Sequence, residues 1–174
     1  MQSKGTVFTL DLLHPRLWLT WLAFGVWRAV TILPFPVLLK LGAGLGLVLH
    51  SIPNRRKTIA QRNIQLCFPH LSDKEQLDML RANFVSTGIA VIEVGIAWWW
   101  SKKRFSNLLQ FEGLENLAVE EGRGTMLLGI HFTTLEIGTA AIATVSARDG
   151  MYRAHGNPVY DFIQARGRLH KGTS

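Results

Sequence analysis

Three observations predict an α/β domain with a mostly parallel sheet, preceded by an N-terminal membrane helix region. Short apolar runs alternate with helical segments from residue 108 to the C-terminus, the rhythm of βαβ units. One of those runs, Thr125–Ile130, carries no charge, as a strand covered on both faces does not. A long apolar region, Leu17–Ile52, comes before all of this. The organisation that follows is a lead over residues 1–16, a membrane-associated segment over 17–54 and the domain over 55–174.

Arg28 and Lys40 divide the apolar region into Leu17–Trp27, Ala29–Leu39 and Leu41–Leu49. None reaches the roughly 18–20 uncharged residues of a secure transmembrane helix. A helix through Leu17–Leu33 spans if Arg28 snorkels to the headgroups. Trp18, Trp21 and Trp27 suit an interfacial belt. Pro34 and Pro36 end that helix. A buried helical hairpin of a soluble domain remains the alternative. No compact basic start and no small-residue cleavage site mark a secretory signal. Arg55, Arg56, Lys57 and Arg62 follow; they read as cytoplasmic membrane contacts or as a solvated helix face.

Lys57–Leu66 predicts a short helix stopped by Phe68-Pro69. Ser72-Asp-Lys-Glu75 is a capping box, so a helix starts at Asp73. Its apolar positions are Leu77, Leu80, Phe84, Val91, Val94 and Trp98, and Gly88 is a weak point on the way to Trp100. Glu93 in its apolar half reads as a paired structural carboxylate or a catalytic one. Trp98-Trp99-Trp100, followed by Lys102, Lys103 and Arg104, reads as an interfacial anchor or a core cluster. Leu108–Phe111 predicts a strand, Leu114–Glu121 a helix, Thr125–Ile130 a strand, Thr134–Val145 a helix, and Met151–Arg153 a strand. Asn157-Pro158 starts the last helix, with asparagine as N-cap and proline at the first helical position.

The charge is +7, which favours anionic lipid or an acidic protein partner. Nucleic acid is excluded as a partner. No finger, RNP or helix-turn-helix signature occurs, and the basic residues are spread rather than striped. Cys67 is the one cysteine, so no internal disulfide forms and a reducing compartment is compatible. It has no base placed near it and reads as structural.

The chemistry centres on His131 and Glu136. His131 falls at the carboxyl end of a predicted strand, where open α/β sheets bind ligands. Glu136 falls in the first turn of the next helix, and helical side chains tilt towards the N-terminus. The five-residue spacing therefore lets the carboxylate bond the imidazole, fix its tautomer and balance its charge. That arrangement suits general-base work on a hydroxyl. A capped helix beside a satisfied histidine fits the same spacing. No third ligand suggests a metal.

Longer motifs surround the pair: Leu13-His-Pro-Arg16 with Trp18-Leu-Thr-Trp21, Leu33-Pro-Phe-Pro36, Asn63-Ile-Gln-Leu-Cys-Phe-Pro69, Ala82-Asn-Phe84, and Glu93 with Gly95-Ile-Ala-Trp-Trp99. Glu112-Gly-Leu-Glu115, Gly129-Ile-His-Phe132, Leu135-Glu-Ile-Gly138, Tyr152-Arg153 and Asn157-Pro158 continue the series. Over nearly its whole length the chain resembles the late acyltransferases of lipid A biosynthesis, with the lauroyl and palmitoleoyl types nearest.

The resemblance implies a glycerolipid-acyltransferase-like α/β fold tethered by an N-terminal membrane helix, with residues 55–174 as the N-terminal part of the acyltransferase domain. It implies an acyl carrier protein thioester as donor and a phosphorylated Kdo-lipid A precursor as acceptor. It implies a site at the cytoplasmic face of the inner membrane, with His131 and Glu136 catalytic, no acyl-enzyme, and no need for a cofactor or metal. Arg153 is implied to bind substrate phosphate or the developing oxyanion, or else to form a structural salt bridge. Arg166 and Arg168 are weaker candidates for that duty. The family pattern continues past the point where this sequence ends at Ser174. A truncated chain with weak or no activity by itself is the expectation.

Overall fold

The computed structural model describes residues 7–117, 126–130, 132–146, 150 and 153–170. Seven α-helices occur among them: α1 (Trp18–Val30), α2 (Phe35–Ser51), α3 (Arg55–Cys67), α4 (Asp73–Trp99), α5 (Lys102–Ser106), α6 (Leu135–Val145) and α7 (Pro158–Leu169). Short 3-10 helices cover Leu10–Leu13, Pro15–Leu17 and Leu114–Leu117. The chain divides into two compact units, one of Trp18–Ile96 and one that joins Met1–Leu17 to Ala97–Ser174.

The expectation of a mostly parallel sheet is wrong: no strand occurs among the described residues. A strand is stable only when a neighbour pairs with its backbone donors and acceptors. Residues 108–111 and 126–130 have no such ladder. The apolar run expected to be a covered strand instead shows Met126, Leu128 and Ile130 to solvent at 92%, 94% and 72% exposure. Alternation of apolar runs with helices identified segments but not partners. Thr125 and Met151–Tyr152 lie outside the described residues.

Within Trp18–Ile96, local signals set the helix ends. The helix expected through Leu17–Leu33 is the 13-residue α1, about 20 Å long at 1.5 Å per residue. Pro36 occupies the first turn of α2. Asn54 caps α3 by accepting from the Lys57 backbone N–H at 2.9 Å. The capping box forms as its spacing predicts: the Ser72 N–H and hydroxyl donate to Glu75 Oε2 at 2.8 and 2.7 Å. These bonds hold the Glu75 carboxyl below its usual range, the hydroxyl more than the backbone N–H.

Gly88 does not weaken α4, which runs unbroken from Asp73 to Trp99. Gly88 is a crossing point. A Cβ there would lie 2.7 Å from the Gly46 Cα, and one at Gly46 would lie 2.6 Å from the Val85 Cα. Glycines on both helices let the backbones of α2 and α4 meet, as small residues do wherever helices approach closely. Leu38, Gly42 and Gly46 form the inner face of α2. Its outer face shows Val37, Leu41, Leu45 and Val48 to solvent.

Helix α4 buries Leu80, Phe84, Ile92 and Ile96 but exposes Leu77 and Val91. Apart from Glu93, its second half is apolar around the circumference, so spacing alone did not choose the inner face. α4 is the one helix among the described residues that is long and apolar enough to cross a membrane, and α2 with α3, bent by 91°, passes the same test as a pair. A buried core helix of a soluble protein meets the same criterion.

Candidate active site

The unit that joins Met1–Leu17 to Ala97–Ser174 contains Glu136 and its partners. Glu136 stands in the first turn of α6, as its position after the Gly129–Phe132 stretch predicts. Thr134 is the N-cap residue and makes no side-chain cap bond. The carboxylate of Glu136 instead takes its donors from far along the chain.

Trp98, near the end of α4, donates its indole N–H to Glu136 Oε2 at 3.0 Å. Arg168 on α7 forms an ion pair with the same group. Its Nε stands 3.1 Å from Oε1 and 3.3 Å from Oε2, and its Nη2 also donates to Oε1. The guanidinium thus reaches both carboxylate oxygens, with Oε1 taking the larger share. The Glu136 side chain is 18% exposed and that of Arg168 34%.

Packing holds these donors in place. Trp98 is 2% exposed and meets the Tyr160 ring edge-on at 5.9 Å. α7 starts where the sequence predicts: Asn157 accepts from the Val159 and Tyr160 backbone N–H groups at 3.0 and 3.1 Å. The helix buries Val159, Phe162, Ala165 and Gly167, which leaves Arg168 at the margin of its packed face. Burial pushes the Tyr160 hydroxyl above its usual pKa, and the Glu136 charge adds to the shift while Arg168 opposes it.

His131 lies outside the described residues, so its side chain is not placed. Arg153 is exposed in a loop without an ion pair among the described residues. Arg166 is exposed, with its guanidinium 5.5 Å from the Phe162 ring centroid. Two positions on a helix differ by about 200°, so Arg166 and Arg168 face different ways and only Arg168 reaches Glu136. Glu93, expected to be paired or catalytic, has a buried Oε2 with no hydrogen-bond partner among the described residues. Trp98 and Trp100 are core residues at 2% and 5% exposure, and Arg104 stacks 3.6 Å over the Trp100 ring. The core-cluster reading of the tryptophans therefore holds for these two.

Sequence reasoning missed Trp98 as a partner of Glu136 and ranked Arg168 below Arg153. Separations of 38 and 32 residues give no periodic signal. Among the described residues no group of three His, Cys, Asp or Glu side chains is placed to hold a metal ion.

Glu136 is thus a carboxylate held by an arginine and an indole, five residues after His131 in the sequence. The chain belongs to the family of bacterial lipid A biosynthesis acyltransferases, which it matches over residues 6–174. It is 41% identical over 169 residues to the lipid A biosynthesis lauroyltransferase of Escherichia coli K12, covering 96% of this chain and 55% of that protein. It is 40% identical over 164 residues to the palmitoleoyltransferase of the same strain, at 93% and 54% coverage. To the myristoyltransferase of that strain it is 26% identical over 172 residues, at 90% and 51%. The chain thus spans about half the length of the curated relatives it matches. No solved structure matches it.

Proposed function

We propose that the protein acts in transfer of a fatty acyl chain from an acyl carrier protein thioester to a hydroxyl of a phosphorylated Kdo-lipid A precursor. His131 removes the hydroxyl proton. The alkoxide attacks the thioester carbonyl, and the resulting tetrahedral adduct expels the carrier thiolate. The proton on His131 passes to that thiolate, so an ester and a free thiol are the products and no acyl-enzyme forms. Glu136 orients His131 and offsets the charge of the imidazolium. General-base catalysis of this kind contributes about 10²–10⁴-fold.

The family match carries this reading. The grip of Arg168 and Trp98 on Glu136 supports it locally. Arg153 and Arg166 are exposed cations suited to substrate phosphates. The exposed aliphatic face of α2 and the length of α4 support attachment to a membrane. Arg55, Arg56, Lys57 and Arg62 favour the cytoplasmic side of the inner membrane.

The test is a chimera in which residues 6–174 replace the matched segment of the E. coli lauroyltransferase. Labelled acyl carrier protein thioester and a Kdo-lipid A precursor are the substrates. Acyl transfer is expected, with a loss of about 100-fold or more in His131→Ala. Transfer that His131→Ala leaves intact sinks the mechanism. Transfer to a lysophospholipid in preference to the Kdo acceptor sinks the substrate assignment.

A further inference from the structure

We infer that Trp98 is a positioning residue for Glu136, and that Gly167 is the clearance that places its indole. The inference rests on the reading of His131 and Glu136 as a catalytic pair.

Arg168 by itself does not define the carboxylate's orientation. Its side chain is a third exposed, where water competes for its donors and screens its charge. Trp98 differs in each respect. It is 2% exposed and has two side-chain torsions, against the long flexible stem of arginine. Tyr160 meets its ring edge-on at 5.9 Å. A buried indole N–H needs an acceptor, and a charged acceptor makes the stronger bond. The 3.0 Å bond to Glu136 Oε2 therefore satisfies the indole and fixes one oxygen of the carboxylate.

An ionised carboxylate has about four lone-pair sites. Trp98 takes one on Oε2, and Arg168 reaches both oxygens. Few lone-pair positions remain on the carboxylate for a further donor, and where Trp98 sits decides which.

That seat exists because residue 167 is glycine. A Cβ at 167 would lie 2.6 Å from the Trp98 Cβ and 3.0 Å from its Cδ1, closer than side-chain atoms pack. With glycine, α7 lies against the indole, and the same helix brings Arg168, the next residue, to the carboxylate. One helix contact thus delivers both donors.

The test reads the imidazole pKa of His131 by NMR in the 174-residue chain, so it does not depend on turnover. Glu136→Gln is expected to lower that pKa by about one unit, since an adjacent negative charge favours the imidazolium. Trp98→Phe should shift it the same way by a smaller amount, and should do nothing further in a Glu136→Gln background. Gly167→Ala displaces Arg168 as well as the indole, so its shift should equal or exceed that of Trp98→Phe and should likewise vanish in a Glu136→Gln background. If Trp98→Phe does not fold, the response of the Trp98 indole N–H to Glu136→Gln carries the test. The Trp98 indole N–H resonance should also move on Glu136→Gln. If Glu136→Gln leaves His131 unmoved, the catalytic-pair reading fails. If Glu136→Gln moves it but neither Trp98→Phe nor Gly167→Ala does, the role of Trp98 is overturned. A Trp98→Phe shift that persists without the Glu136 carboxylate overturns it equally, and so does a Trp98 resonance indifferent to Glu136→Gln.

Discussion

The α2–α4 crossing and the contact between Trp98 and α7 use the same means to different ends. At the first, Gly46 and Gly88 let two helix backbones touch, and a Cβ at either would meet backbone atoms. At the second, Gly167 lets an indole lie against a helix, and a Cβ there would meet side-chain atoms. Backbone in a packed helix pair cannot yield without moving both helices. The Trp98 Cβ is fixed by the α4 backbone and does not yield to side-chain rotation, although the indole beyond it can turn. The first contact holds two helices together, while the second also sets the direction of a donor.

That difference is open to measurement, and Gly88→Ala should have the largest effect. Alanine is the better helix former by about 1 kcal/mol, yet overpacking costs about 1–3 kcal/mol. A net loss of stability in chemical denaturation is expected. A gain would show that the crossing has room and would break the contrast. Gly167→Ala should also cost about 1–3 kcal/mol, because the Trp98 Cβ it would meet is fixed to the α4 backbone. Its larger consequence falls on Glu136, visible as a changed Trp98 indole resonance. A Gly88→Ala change that moved the Trp98 indole resonance as far would erase the distinction.

Arg168→Gln removes a partly exposed ion pair and should cost about 1 kcal/mol or less in denaturation. The smallest expected effect is at the start of α4. The Ser72 hydroxyl and N–H hold the folded-state pKa of Glu75 below its ordinary value. The cap therefore contributes fully above the ordinary carboxylate range and is lost as pH falls through the lowered value. A thermal melt followed from neutral pH towards pH 3 should lose a small increment of stability that Ser72→Ala no longer shows.

Helix boundaries were legible because their causes lie within a few residues. The Ser72–Glu75 box, the Asn157-Pro158 start and the Phe68-Pro69 stop all act through bonds or clashes with near neighbours. The sheet was misread for the converse reason. A strand requires a partner elsewhere in the chain, and an apolar run such as 126–130 states only that it avoids water. Gly88 looked like a weak point in α4 because a helix considered alone gains nothing from glycine; its use appears only when Gly46 is beside it.

The candidate site divides the same way. By itself the sequence determined the position of Glu136 at a helix start, five residues after His131, and the family motifs around it. Only the tertiary structure decided which donors hold that carboxylate. Trp98 and Arg168 lie 38 and 32 residues away from it, and they reach it through the packing of α7 against an indole that one missing Cβ permits. Local spacing encodes the reach of a helical turn; it does not encode which distant side chains a packed core will bring to one carboxylate.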